Sequence, residues 1–287
     1  MHMLSGLLTN AEIEALHTAA LHCKSYSSKE ADSVDKEATF QANIYENGLE
    51  SPGAAEIAEL LRPVIEERLL PYVRKKFACP TACLADVLLR RYQSGERMSL
   101  NLHYDVQAFA TAIIPLSVQL EHKEDHSTGA AAAVGTPPVT RAPSAESVSA
   151  PLEALTSYTG GLFVQDGTSR ASRRFVRFAP RSGGGHNGDA LFHQFDLMHG
   201  VEVTSGTRYA LALWFSDSPE SLRKGAAPWV RAAAERGNPD AQFLMATFCA
   251  QGRFGVSGRE IQPRPLPCPL VLASFFSCSR PGPPISF

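Results

Sequence analysis

What this chain lacks narrows it first. No apolar run approaches the ~18 residues of a membrane span, so no membrane partner is expected. The opening residues MHMLSGLLTNAEIEA carry no basic n-region and no long apolar stretch, so no secretory signal is expected. A cytoplasmic or other intracellular location follows as the default. Neither sign of charge dominates: 27 basic residues face 29 acidic ones, a net charge of −2, so no overall field favours nucleic acid or anionic lipid. C-x-x-C is absent, and the six cysteines (Cys23, Cys79, Cys83, Cys249, Cys268 and Cys278) are dispersed, which leaves zinc-ribbon and thioredoxin readings without support. They read as ordinary buried or free thiols. Aromatic residues are missing from 121–157, and Gly129 to Ser157 is mostly Ala, Ser, Thr, Pro and Gly. Such a segment cannot bury enough apolar surface to offset its ordering entropy, so it reads as a disordered insertion.

The rest has clear grammar. Residues 9–22 read as an amphipathic helix, with Thr9 and Glu12 at capping-box spacing and Ile13, Leu16 and Ala20 on one face. A second helical stretch starts at Ser51-Pro52, and Pro63 and Pro71 should kink or divide it. From about residue 86 short β-type runs take over: VLLRRY, SLNLHY, FATAIIPLSVQL, GGLFVQ, RFVRFA, ALFHQF, GVEV and RYALALWF. Eight short strands separated by turn signals predict a sandwich, jelly roll or barrel. After Asp217 the chain reads as helix, Gly-Asn-Pro turn, helix, and residues 257–287 show neither period. The domain reading is therefore an N-terminal helical region (1–85), a β core (86–218) interrupted by 121–157, a helix pair (225–256) and an irregular tail (257–287). The fold class is mainly β with flanking helices, α+β.

Among the nine histidines only His103 has an aspartate two residues on, in His103-Tyr104-Asp105. On a strand the period of two puts both side chains on one face, where an imidazole and a carboxylate can grip one cation. A third ligand would complete the 2-His-1-carboxylate triad, which leaves positions open on Fe(II). If 2-oxoglutarate fills them, a cation must hold its far carboxylate, a task suited to the arginine fork. His199 is followed nine residues later by Arg208, across Thr204-Ser205-Gly206-Thr207. A two-residue hairpin turn at Ser205-Gly206 would pair Val203 with Arg208 and place it on the face of His199, roughly 13 Å away. The same alternation turns Ala210, Ala212 and Trp214 inward, leaving room for a ligand with Trp214 as a wall. Alternating Ala and Leu also fits a plain β-sandwich core.

GDALFHQFDLMHGVEVTSGTRYALALWFSD, LLRRYQSGERMSLNLHYD, TAIIPLS and YTGGLFVQ occur in the order found in the prolyl 4-hydroxylase-like Fe(II)/2-oxoglutarate dioxygenases, which this chain resembles over roughly residues 80–217. The resemblance implies a double-stranded β-helix, or jelly roll. It implies iron on His103, Asp105 and His199, 2-oxoglutarate on Arg208, and ascorbate to keep the iron reduced. It implies an oxidoreductase that hydroxylates a protein side chain, proline foremost, or a small molecule, and releases succinate and CO2. Tyr92 stands where several members have a tyrosine that bonds the cosubstrate, although a core strand tyrosine would look the same. Pro115 stands where some protein hydroxylases have a second such tyrosine. Asp105 favours hydroxylation or demethylation over halogenation. The nucleic-acid demethylating members carry a second arginine where this chain has Trp214, so no nucleic-acid partner is expected.

Three further features compete for a role. His122-Lys123-Glu124-Asp125-His126 has a zinc-compatible spacing but no helical pattern, and reads as a solvated loop. Arg170, Arg173, Arg174, Arg177 and Arg181 form a run without an acid, either an exposed strand side or a docking surface for an acidic substrate. WVRAAAERGNPDAQFLMATFCAQGRFGV resembles one Sel1-like repeat, a possible protein-partner module; on the alternative reading, the whole chain is a non-catalytic interaction or sensor protein.

Overall fold

The first helix begins where its capping signal places it. In the computed structural model, α1 (Asn10–His22) is capped by Thr9, whose hydroxyl accepts from the Glu12 backbone while the Glu12 carboxylate accepts the Thr9 N–H. The structure describes residues 1–23, 32, 34–120, 157–166, 169–178 and 188–252. The insertion (apart from Ser157), the His122–His126 cluster and the tail from 257 lie outside the described residues.

The N-terminal region is not purely helical. It contributes β1 (His2–Leu4), β2 (Phe40–Glu46) and β3 (Leu49–Glu50) to the main sheet. β2 was not expected from sequence, although it alternates as a half-buried strand does: Ala42 and Ile44 face the core while Gln41 and Asn43 face a cavity. The prolines divide the second helical stretch as expected. A 3-10 turn at Pro52–Ala54 leads into α2 (Ala55–Val64), a π turn (Ile65–Leu69) and α3 (Leu70–Lys76). The wider turn, closed by the Leu70 N–H on the Ile65 carbonyl, fits a stretch in which Pro63 and Pro71 supply no N–H.

The β region comprises β4 (Cys83–Gln93), β5 (Ser99–His103), β6 (Ala110–Pro115), β7 (Val118–Gln119), β8 (Ser157–Gln165), β9 (Arg173–Phe175), β10 (Ala190–Gln194) and β11 (His199–Ser216). One antiparallel sheet runs β1-β10-β6-β11-β4-β2-β3. A second is built by β5, β8, β7 and β9 around the first half of β11. The two sheets share β11 and form the jelly-roll core of a mainly antiparallel α+β protein. Three helices follow: α4 (Pro219–Lys224), α5 (Pro228–Glu235) and α6 (Pro239–Gln251).

Alternation along β11 separates two apolar layers. Tyr209, Leu211, Leu213 and Phe215 pack outward with α1 and α2, whereas Val201, Val203 and Ala212 pack between the sheets with Tyr92, Ile113 and Leu162. β6 is buried at all six positions, which explains its near-continuous apolar run. Cys23, Cys79, Cys83 and Cys249 are free thiols. Among the described residues no helix is long and apolar enough to cross a membrane.

Candidate metal centre and anion pocket

Antiparallel pairing of β5 with β11 sets His103 directly opposite His199, with ring centroids 4.4 Å apart. β5 ends at His103, so Asp105 does not share a strand face with it. Asp105 lies in the following turn, where its carbonyl accepts the Ala108 N–H, and it is fully buried. Its carboxylate is fixed by Thr111 on β6, whose hydroxyl donates to Oδ2 at 2.8 Å. One donor atom from each of His103, Asp105 and His199 falls within a 4.8 Å cluster that could hold a metal ion.

The imidazoles are held in one tautomer. His103 Nδ1 meets the Asn101 carbonyl at 2.8 Å, and His199 Nδ1 meets the Leu197 carbonyl at 3.0 Å. Each Nδ1 must donate there, so each Nε2 presents a lone pair. Those lone pairs face Asp105, with His103 Nε2 3.5 Å from Oδ1 and His199 Nε2 3.7 Å from Oδ2. Electron-rich atoms facing one another at such distances fit a cation among them. Burial pushes His199 down to about 3, more than the attraction of Asp105 restores, so the ring is neutral and able to ligate. Burial opposes ionisation of Asp105, yet its carboxyl lies well below the usual carboxylate range, because at the acid pH where it would take up a proton the surrounding imidazoles, His199 first, are cationic and attract the carboxylate.

His193 was not singled out from sequence. It stands on β10 opposite Thr111, its Nδ1 meets the Gln194 carbonyl at 2.9 Å, and its buried Nε2 faces Asp105 Oδ2 at 3.6 Å with no hydrogen-bond partner. Burial lowers its proton affinity as well. The available signal was its place in an inward-facing strand row, Leu191 and His193, six residues before His199.

Arg208 reaches the same cavity by a route that differs from the expected hairpin. β11 does not turn at Ser205-Gly206. Val203 pairs with Gly160, Gly206 with Tyr158, and Arg208 with Tyr92, all within one continuous strand. A straight strand would put His199 and Arg208 on opposite faces. A register irregularity between Val203 and Ser205, followed by Gly206 at φ +78°, supplies the one-residue shift that restores Arg208 to the inner face. The guanidinium is 2% exposed and lies 5.5 Å from the Tyr92 ring and 5.7 Å from the Tyr158 ring. No carboxylate among the described residues pairs with it, and its Nε has no hydrogen-bond partner. Tyr158, also buried and also missed from sequence, closes this end.

A cavity of about 600 Å³ joins the two features. His103, Asp105 and His199 line one part, Arg208 and Tyr92 another, and Ala210, Ala212 and Trp214 the wall between, so every residue singled out for the site meets this one space. The paired alanines leave room above β11, as the alternation suggested. Trp214 stands opposite Thr111, toward the metal cluster rather than toward Arg208.

The helix pair braces this centre. α5 and α6 bury Trp229, Val230 and Phe248 in a cluster with Phe195, against Tyr104 and Phe109. The Tyr104 hydroxyl donates to Asp240 at 3.2 Å, and burial beside that carboxylate raises the phenol to about 12. The arginine run is largely neutralised by acids outside it: Arg170 and Arg173 pair with Glu202, and Arg174 pairs with Asp166. A docking surface for an acidic substrate loses three of its five cations in this way.

No family model matches the sequence, and no curated protein matches it. Solved structures do. The chain is similar to a viral collagen prolyl hydroxylase from Paramecium Bursaria Chlorella virus-1, in complex with 2OG (16% identity, TM-score 0.40, 75% of this chain and 93% of that one). It is similar to an oxidoreductase of the 2OG-Fe(II) oxygenase family from Burkholderia pseudomallei (14% identity, TM-score 0.46, 75% and 84%). It is also similar to a prolyl hydroxylase from Trichoplax adhaerens, in complex with a hypoxia inducible factor oxygen degradation domain peptide fragment (12% identity, TM-score 0.46, 77% and 84%).

Proposed function

We propose that this protein is an Fe(II)- and 2-oxoglutarate-dependent dioxygenase. The observation that carries the reading is Arg208, a buried guanidinium with no carboxylate partner among the described residues, opening into the cavity that the His103, Asp105 and His199 cluster also lines. A small dicarboxylate that also chelates metal satisfies both ends at once. His103, Asp105 and His199 would hold the iron, and the residues present fit it: two imidazoles whose Nδ1 atoms are fixed on backbone carbonyls, with His199 neutral, and a carboxylate buried among them.

Bound there, Fe(II) supplies the activation of O2 coupled to decarboxylation of 2-oxoglutarate to succinate and CO2. The chain's own contribution is orientation and exclusion of water. Arg208 binds and orients the far carboxylate, with the Tyr92 ring beside it. Thr111 holds the Asp105 carboxylate, Ala210 and Ala212 leave the volume, and Trp214 walls it. Ascorbate would keep the iron reduced. The product is a hydroxylated protein side chain or small molecule, with peptidyl proline the substrate that the sequence resemblance favours. The face of α5 and α6 that carries Trp229, Val230 and Phe248 packs on the protein's own core, while Phe243 on α6 stands exposed.

Succinate formation from 2-oxoglutarate with Fe(II) and ascorbate tests the reading. Wild type is expected to turn over and His103→Ala to be inactive; turnover that survives loss of His103 sinks the assignment. Arg208→Ala is expected to lose 2-oxoglutarate binding to the Mn(II)-loaded protein, a readout independent of catalysis.

A further inference from the structure

The cavity extends sideways from the metal cluster beneath β2 and β4, and strand register fixes what lines it. Trp214 pairs with Thr111 on one side and Asp86 on the other, so the three form one row across the sheet. With strands about 4.8 Å apart, Asp86 lies roughly 10 Å from Thr111, whose hydroxyl holds the Asp105 carboxylate. The next row pairs Leu88 with Asn43.

This lobe is rich in acceptors. Asp86 accepts the Asn47 N–H at 2.8 Å through Oδ1, and no cation among the described residues pairs with it. Asn43 gives its amide nitrogen to Glu46, leaving its Oδ1 buried without a partner. The Gln41 Oε1 is buried and unpartnered too. The lobe's own cation, Arg90, which pairs with Gln41 in register, is balanced by Asp32 at 2.8 Å, although its Nε has no hydrogen-bond partner. Burial raises the Asp86 carboxyl more than the Asn47 N–H lowers it, and Glu46 adds to the rise, as for a half-buried acid without a counter-ion.

We propose that this lobe is the substrate subsite and that it takes an organic cation: an alkylammonium or guanidinium group on a short aliphatic stem, as a basic side chain provides. The cation meets Asp86 and the Asn43 carbonyl, the stem lies on Leu88 and the Trp214 indole, and the carbons nearest the backbone or chain end point toward the metal cluster. A guanidinium or ammonium supplies the positive charge that Asp86 lacks and the N–H donors that the unpartnered Asn43 and Gln41 oxygens ask for; a proline ring supplies neither. The inference rests on the oxygenase reading for what happens to the bound molecule, not for the binding itself.

Calorimetric titration of the full chain, loaded with Mn(II) and 2-oxoglutarate under argon, tests it with N-acetyl-arginine amide, N-acetyl-lysine amide and N-acetyl-proline amide. The basic probes are expected to bind, more weakly at high salt, and the proline probe not to. Asp86→Asn should weaken the basic probes by about 10-fold or more, the range of a charge-assisted hydrogen bond. Asn43→Asp should tighten them, and it carries the test if Asp86→Asn fails to fold. Proline binding as tight as the basic probes, no cation binding, or unchanged affinity in the folded variants overturns the proposal. Succinate formation is measured separately, on the same protein batches reconstituted with Fe(II) and ascorbate in air and given each probe in turn. Its absence would overturn the oxygenase reading alone, whereas a protein that turns over 2-oxoglutarate yet ignores the cations overturns this inference alone.

Discussion

Thr111 donates its hydroxyl to Asp105 Oδ2 at 2.8 Å, and both side chains are buried. Asp105 belongs to a turn, not to a strand, so this bond does what sheet pairing does for His103 and His199. Thr111→Val keeps the shape and removes the donor. Metal affinity should fall on the order of 10–100-fold, the usual cost of losing such a supporting contact, with the fold intact by circular dichroism. An unchanged Kd for Co(II) or Mn(II) would show that the turn holds the carboxylate unaided.

His193 predicts an opposition between stability and binding. Its Nε2 faces the Asp105 carboxylate without a hydrogen-bond partner, an arrangement that costs free energy unless a cation is near. His193→Leu should therefore leave the metal-free protein as stable or more stable, while lowering metal affinity. Thermal melts with and without metal read both effects; a variant that loses stability in the metal-free state contradicts this account.

Gly206 is where β11 changes face. Its φ of +78° suits glycine, and an added Cβ would sit 2.1 Å from the Ser157 carbonyl oxygen. Gly206→Ala should cost at least ~1–3 kcal/mol. It should also displace Arg208, so 2-oxoglutarate affinity falls in whatever fraction stays folded. Denaturant melts and 2-oxoglutarate titration check the two parts.

Glu12 sets an acid-dependent increment of stability. Its hydrogen bond from Arg68 outweighs burial and, with the bonds from Thr9, holds the carboxyl at about 2, against an ordinary 4.5. A depressed carboxyl stabilises the fold fully above about 4.5 and loses that contribution as pH falls toward 2. Glu12→Gln should lower stability by about 1 kcal/mol at pH 7, and its melting curve should approach wild type between pH 4.5 and 2. A difference that stays constant over that window refutes the linkage.

The residues that gather at the candidate site, His103, Asp105, His199 and Arg208, stood out in sequence by their spacing, although neither the shared strand face nor the hairpin inferred from that spacing is what brings them together. The path between the last two was not legible. A turn signal and a strand bulge use the same residues, here Ser205-Gly206, and only the pairing with β8 separates them. β2 carries the alternation of a half-buried strand, Phe40, Ala42 and Ile44 against Gln41 and Asn43, but it is short and stands alone among helical segments, far from the β-rich stretch in sequence. His193 was hidden for another reason: its meaning comes from Thr111 and Asp105, which register and folding bring to it, not from any neighbour along the chain.

One strand carries both His199 and Arg208, nine residues apart. The gap between the metal cluster and the anchoring cation is thus set along a single covalent backbone and stiffened by pairing on both edges. No domain motion is needed to set that gap. On the proposed reading such a strand is a ruler: a keto diacid one methylene too long or too short is expected to touch one end or the other, but not both.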